Sequence, residues 1–298
     1  MGKAKFACTV WQWGTRDREQ FVQALKDITE AGYSYFESVK AAINVFEGDV
    51  AGFRKLCDEY GAQPIGFYFH LNGDWDNDVE DVKRKLPFLA ECGVKRMNIQ
   101  ATGLKGRPAN QEELDYDLKV INTIAGIVKE HAIVPCLHPH FNTSVMHENE
   151  IDFILQNTDP SLVAFGPDTA HLVAGKCDPV KMIKRYADRV KFIHLKDITS
   201  ARIEAEGTQA GVEVYSAAVF RELGEGIIDF PAIFKILDDA GYDEFLTVEL
   251  DRSRFTNKES AIISMKYLKE HFQSMKVLNP ENLEIINTYI LLKIGHLK

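Results

Sequence analysis

With 298 residues, 45% of them hydrophobic and 27% charged, the chain has the composition of a globular protein and the length of one large domain or two ordinary ones. A net charge of −9 argues against a nucleic-acid surface, which is ordinarily basic. No apolar run of about 20 residues occurs, so no transmembrane helix is expected. The opening MGKAKFACTVWQWG lacks the apolar core and cleavage site of a signal peptide. Cys8, Cys57, Cys92, Cys136 and Cys177 are scattered without a CxxC pair, which suits reduced thiols and a cytoplasmic location.

Taken in order, residues 5–11 read as a first strand, ending in Trp11-Gln12-Trp13-Gly14. Residues 17–31 place Phe21, Leu25 and Ile28 three to four apart, the spacing of an amphipathic helix, and Gly32 closes it. A second strand follows over 33–39, ending at Glu37-Ser38, and a helix over 49–60 stops at Gly61. Strand three spans 63–70, with His70 at its end; a helix over 77–92 closes at Gly93. Strand four covers 94–100 and ends in Gln100, followed by a polar loop over 104–109 and a long helix over 112–131. Strand five begins at Ile133. Helices then occupy 148–157 and 179–186, with strand six after Asp159-Pro160 and strand seven over 190–195. A long polar segment, 198–226, precedes a helix over 230–240, strand eight over 245–250 and a last helix over 258–272.

Eight strands alternating with helices predict an α/β (β/α)8 TIM barrel rather than a doubly wound sheet, and no GxGxxG follows the first strand to favour the latter. One barrel domain is expected over 1–276, with 277–298 as an extension containing a short apolar helix or a frayed tail.

The chemistry concentrates between Val134 and Asp197. VPCLHPHFNTSV, LVAFGPDTAHL and VKFIHLKD are short apolar runs that end in His, Asp or Lys, and Leu246-Thr247-Val248-Glu249 repeats the pattern. Buried parallel strands look like this, and barrels carry their chemistry at the C-terminal strand ends. His138, Asp168, His194 and Glu249 thereby converge as two imidazoles and two carboxylates, a set suited to a divalent metal. A structural ion pair of the two carboxylates with a histidine is the plainer alternative.

These motifs resemble the xylose-isomerase-like superfamily of sugar isomerases and epimerases, most of all its inosose dehydratase type. HPHFNT (138–143), DTAH (168–171), HLKD (194–197) and GEGIIDF (224–230) carry the resemblance, which covers about residues 5–272. It implies one divalent metal ion, Mn²⁺ foremost and Co²⁺, Mg²⁺ or Zn²⁺ as alternatives, held by His138, Asp168, His194 and Glu249. The departure is His138, where the epimerases place a glutamate that doubles as a base. With one carboxylate base instead of two, the chain tilts toward β-elimination: a lyase on a keto-cyclitol or keto-sugar, working through an enediolate.

Within that expectation Glu249 or His140 removes the proton and Lys196 donates one to the departing oxygen, with an ion pair to Asp197 or a neighbour as the structural alternative for Lys196. By resemblance His171 contacts substrate hydroxyls; helix capping is its alternative. Trp13 is placed to stack on a sugar face, and Glu37, His70 and Gln100 to bind hydroxyls, each with a packing or loop-capping alternative. Arg252 and Arg254 read as solvated, and 204–222 lies where a lid would cover the substrate. The alternatives are a ketose isomerase or epimerase, a lyase eliminating the aglycone of a 3-keto-glycoside, an apurinic-endonuclease-type enzyme and a non-catalytic sugar-binding subunit. A small-molecule partner is expected, with neither nucleic acid nor membrane; a homo-oligomer stays open.

Overall fold

The computed structural model describes residues 5–14, 16–104, 107–199, 219–249, 251 and 253–277, with side chains to residue 272. Eight strands recur along it: Lys5–Thr9 (β1), Tyr35–Val39 (β2), Gln63–His70 (β3), Arg96–Gln100 (β4), Val134–His138 (β5), Ala164–Phe165 (β6), His194–Leu195 (β7) and Phe245–Val248 (β8). They pair in parallel in the order β6-β5-β4-β3-β2-β1-β8-β7. Parallel bridges from Phe165 to Val190 and from Asp168 to His194 join the two ends, so the sheet closes as a (β/α)8 barrel.

The intervening helices are Arg18–Ala31 (α1), Lys40–Val45 (α2), Val50–Tyr60 (α3), Asp81–Glu91 (α4), Gln111–Val128 (α5), Glu148–Gln156 (α6), Thr169–Ala174 (α7), Pro179–Arg185 (α8), Phe230–Asp239 (α9) and Asn257–Val277 (α10). Their starts follow from capping chemistry. The carboxylates of Asp17, Asp49, Asp178 and Asp229 accept backbone N–H groups of the first turn of α1, α3, α8 and α9. Asn110 and Glu113 form a reciprocal capping box on α5. Helices α2 and α7 are not anticipated in the sequence, because six residues are too few to show a helical period. No described helix is long and apolar enough to cross a membrane.

Two apolar layers hold the barrel. Outside the strands, Phe21, Phe36, Phe46, Phe53, Phe67 and Phe88 pack ring against ring beneath α1, α3 and α4. Each is buried, a gain of about 1.5–3 kcal/mol per side chain. Inside, Ala7, Ile65, Cys136, Ala164 and Phe192 form a separate apolar plug. His138 and His194 stand two residues beyond Cys136 and Phe192 on the same strand face, and so cap that plug at the C-terminal mouth.

Expectations over 277–298 and 204–218 and for Arg252 fall outside the described residues, apart from Val277 at the end of α10. Around the ends of the polar segment, Asp197–Ile198 and Phe220–Arg221 pair antiparallel.

Candidate metal centre and catalytic site

Strands β5 and β7 and the residues just beyond β6 and β8 bring His138, Asp168, His194 and Glu249 together, all buried, with one ligand atom of each within 4.8 Å of the others. Each histidine is oriented by its far nitrogen. Nδ1–H of His138 donates to the Gly166 carbonyl (2.9 Å), leaving Nε2 as the inward acceptor. Nε2–H of His194 donates to Glu37 Oε2 (2.5 Å), leaving Nδ1 inward.

Four buried atoms then lack hydrogen-bond partners: His138 Nε2, Asp168 Oδ2, His194 Nδ1 and Glu249 Oε2. A buried acceptor without a donor costs about 1–3 kcal/mol, so four facing one another need an explanation. His194 Nδ1 and Glu249 Oε2 lie 2.5 Å apart without hydrogen-bond alignment. Such a set fits a divalent cation, and histidines tied back to a carbonyl and a carboxylate are the usual second layer of one.

Asp168 follows from local sequence. Its Oδ1 accepts the backbone N–H of His171 (2.7 Å) as the cap of α7, which aims Oδ2 at the cluster. His171 is therefore not itself the cap; its Nε2 accepts from the Lys196 ammonium (3.0 Å). Lys196, fully buried, also donates to Glu249 Oε1 (2.7 Å) and Asp251 Oδ2 (3.0 Å) and lies 3.3 Å from Asp168 Oδ2. Its ion pairs are thus with neighbouring carboxylates and not with Asp197, which is occupied with the backbone N–H groups of Ile198, Gly224, Gly226 and Ile228.

The charges settle accordingly. Burial alone would lower the Lys196 pKa, but Asp168, Asp251 and Glu249 outweigh it and hold the amine firmly as a cation. Glu249 is penalised by burial yet kept well below the usual carboxylate range by Lys196 and His194. For His194, burial is overcome by Glu249 and Glu37, which push its pKa up to about 10, so that without a cation Nδ1 holds a proton toward Glu249 Oε2, and a bound cation would displace that proton. Asp168 rises to about 7, chiefly from burial. His140 falls to about 3 through burial and the Lys196 charge, so its imidazole is neutral. Its Nδ1–H donates to the Phe141 carbonyl (2.9 Å), which makes Nε2 the acceptor nitrogen. The His140 and His171 rings lie 3.6 Å apart, centroid to centroid.

The candidates on earlier strands divide. Glu37 is fully buried behind His194, with Asn98 Nδ2–H donating to its Oε1 (2.8 Å); it is not a hydroxyl binder at the mouth. Gln100 accepts from the Tyr68 hydroxyl (2.5 Å), and the Tyr68 ring meets His138 edge-on at 5.1 Å. His70 does not join the cluster: its side chain is exposed. Tyr68, two residues earlier and on the same strand face, points at the axis among His138 and His194, while His70 stands at the outer end of β3. Trp13 donates its N–H to Asp27 of α1 (2.8 Å), whereas the Trp11 ring lies 5.8 Å from that of His194. Trp11 also lines a cavity of about 550 Å³ with Gly14, Arg16, Ala41, Asn44 and Val45.

Trp11, Tyr68, Asn98 and Asp251 are the site residues that sequence reasoning passed over. A signal existed for two. Asp251 sits two residues past Glu249, and Asn98 is a polar residue in the middle of a buried strand.

Comparison with known proteins identifies the family of the fold. The family model of the xylose isomerase-like TIM barrel matches residues 25–271. An inosose dehydratase of Clostridium botulinum (strain Alaska E43 / Type E3) is 34% identical over 272 residues, 84% of this chain and 89% of that protein. One of Clostridium tetani is 34% identical over 196 residues, 64% of this chain and 66% of its own length; the matches to Clostridium perfringens relatives span 56% of theirs. Among solved structures, the probable 3-DHS dehydratase of Bacillus anthracis superposes with a TM-score of 0.72 at 18% identity, over 89% of this chain and 98% of that one. D-allulose 3-epimerase from Methylomonas sp. gives 0.73 at 16% identity, over 90% and 98%. At such identities the structural likeness speaks for the barrel alone. The matched family model and the near-full-length sequence similarity carry the assignment: this chain belongs to the xylose isomerase-like TIM barrel family, with inosose dehydratases among its relatives.

Proposed function

We propose that the chain is a carbon–oxygen lyase that dehydrates a keto-cyclitol with the help of one divalent cation. The observation that carries this reading is the convergence of four buried ligand atoms, on His138, Asp168, His194 and Glu249, none of which has an aligned hydrogen bond. The inosose dehydratases among its relatives supply the substrate class. Mixed imidazole and carboxylate donors suit Mn²⁺, Co²⁺ or Zn²⁺ better than Mg²⁺. A cation held there would supply Lewis acidity toward the ketone, acidifying the adjacent C–H bond.

The remaining chemistry belongs to side chains. Glu249 has one oxygen on Lys196 and the other in the cluster, which leaves it poorly placed to take a proton. His140, neutral and presenting Nε2 as acceptor, is the better base. Removing the C–H proton to His140 generates the enediolate. Expelling the β-hydroxyl with that same proton forms the C=C bond and releases water. Lys196, too firmly charged to give up its proton, serves as a fixed positive charge beside the developing oxyanion. Trp11 and Tyr68 offer ring faces to the cyclitol carbons, and His171 and Gln100 offer polar groups to its hydroxyls.

An epimerase would need a second base on the opposite substrate face. Glu37, the carboxylate that would serve, is occupied by His194 and Asn98, which does not support that reading. The test is incubation in D₂O with 2-keto-myo-inositol, a panel of 3-keto-glucosides and free ketoses. Metal-dependent deuterium uptake beside the ketone with net loss of water is expected. His140→Asn should lower turnover by about 10²–10⁴-fold, and His138→Ala and Glu249→Ala should abolish metal retention. A protein that retains no metal and exchanges no deuterium with any of these compounds is not this enzyme.

A further inference from the structure

We infer that Lys196 occupies a second cation position, its ammonium standing where a second divalent ion would otherwise bind. The inference rests on the single-cation reading above and says why there is one such ion and not two.

Beside the first cluster lies another set of ligand atoms, from His171, Glu249 and Asp251, again within 4.8 Å of one another. Lys196 Nζ fills it, 3.0 Å from His171 Nε2, 2.7 Å from Glu249 Oε1 and 3.0 Å from Asp251 Oδ2. The two sets share a residue. Glu249 turns Oε2 to the first cluster and Oε1 to the ammonium, and Asp168 Oδ2, also of the first cluster, lies 3.3 Å from Nζ. Carboxylates shared in this way are the pattern of paired metal sites, whose ions stand about 3.5–4 Å apart. One imidazole and two carboxylates are a donor set that divalent ions accept. Here a single positive charge faces three carboxylates, those of Asp168, Glu249 and Asp251, and the Phe220 ring lies 4.7 Å from the same nitrogen.

The replacement has a chemical consequence. A second metal would ionise a bound water and make a hydrolytic nucleophile, which an ammonium does not do. Lys196 contributes positive charge that neither exchanges with solvent nor activates water, which suits enolisation and elimination.

The test is metal stoichiometry of the folded full chain, by equilibrium dialysis against Mn²⁺ with elemental analysis and by electron paramagnetic resonance. One equivalent is expected for the parent protein. Lys196→Ser, which opens the slot, should take up two and show the exchange-coupled spectrum of an Mn²⁺ pair. Lys196→Met, which fills the slot without charge, should stay at one. Two equivalents in the parent, or one in folded Lys196→Ser, would overturn the inference. So would a Lys196→Ser protein that fails to fold at any Mn²⁺ concentration, since a divalent ion then does not substitute for the ammonium. No metal in the parent at all is a different failure, of the proposed function itself.

Discussion

Asp168 divides one carboxylate between two tasks: Oδ1 caps α7 and Oδ2 faces the cluster. Glu37 shows the same economy one layer out, since its only visible work is to fix the tautomer of His194 while Asn98 steadies it. Glu37→Leu should therefore weaken Mn²⁺ binding by about 10–100-fold, measured by competition with a chelator. Glu37→Gln, which keeps a carbonyl acceptor for the histidine, should stay within several-fold of the parent. The cluster residues were legible because each ends an apolar run, which places them at strand ends whatever the neighbouring strands do. Trp11 and Tyr68 were not: choosing between Trp11 and Trp13 depends on a local turn, and Tyr68 and His70 share one strand face, so only the depth of each in the barrel separates them.

At the level of elements, the loop before α9 is organised by Asp197. Its carboxylate accepts from four backbone N–H groups, and Gly226 comes so close that a β-carbon there would overlap the Asp197 carboxylate and the Ile198 carbonyl. Gly226→Ala should cost about 1–3 kcal/mol of stability, read from urea midpoints. Asp117 ties α5 to two loops at the mouth, accepting from Thr102 (2.7 Å) and from Ser144. Burial raises its pKa to about 6 despite those hydrogen bonds. The folded protein therefore holds a proton between about pH 4 and 6 that the unfolded chain has released, and stability falls as pH rises through that window. The shift is worth about 3 kcal/mol at most. Asp117→Asn should flatten this slope, so its stability relative to the parent should improve from pH 4.5 to pH 7. Element order was readable from hydrophobic period and caps; α2, α7 and the two-residue strands Asp197–Ile198 and Phe220–Arg221 were hidden by their brevity.

For the molecule as a whole, the cluster predicts a linkage between metal and stability. A cation that binds only the folded barrel, present at 100 times its Kd, adds about 2.7 kcal/mol. Mn²⁺ should therefore raise Tm by several degrees in calorimetry and a chelator should reverse it. His138→Ala, which removes a ligand, should show little of either effect. The barrel itself was legible because eight βα repeats leave few other closed arrangements. What sequence alone does not show is how the two halves divide the work. The four cluster residues come from β5, β7 and the ends of β6 and β8, while Glu37, Tyr68 and Asn98, which pack or hydrogen-bond against them, come from β2, β3 and β4.

Strand β8 pairs with β1 on one side and β7 on the other, and Glu249 is the residue immediately after it. Joining the first strand to the last and supplying the fourth ligand are thus one event. During synthesis the amino-terminal half can collapse early, yet the proposed cation site would be complete only once nearly the whole barrel has left the ribosome. On the proposed reading, no ion would be loaded onto an incomplete chain, and a chelator present during refolding should retard the final closure while leaving the earlier phases untouched.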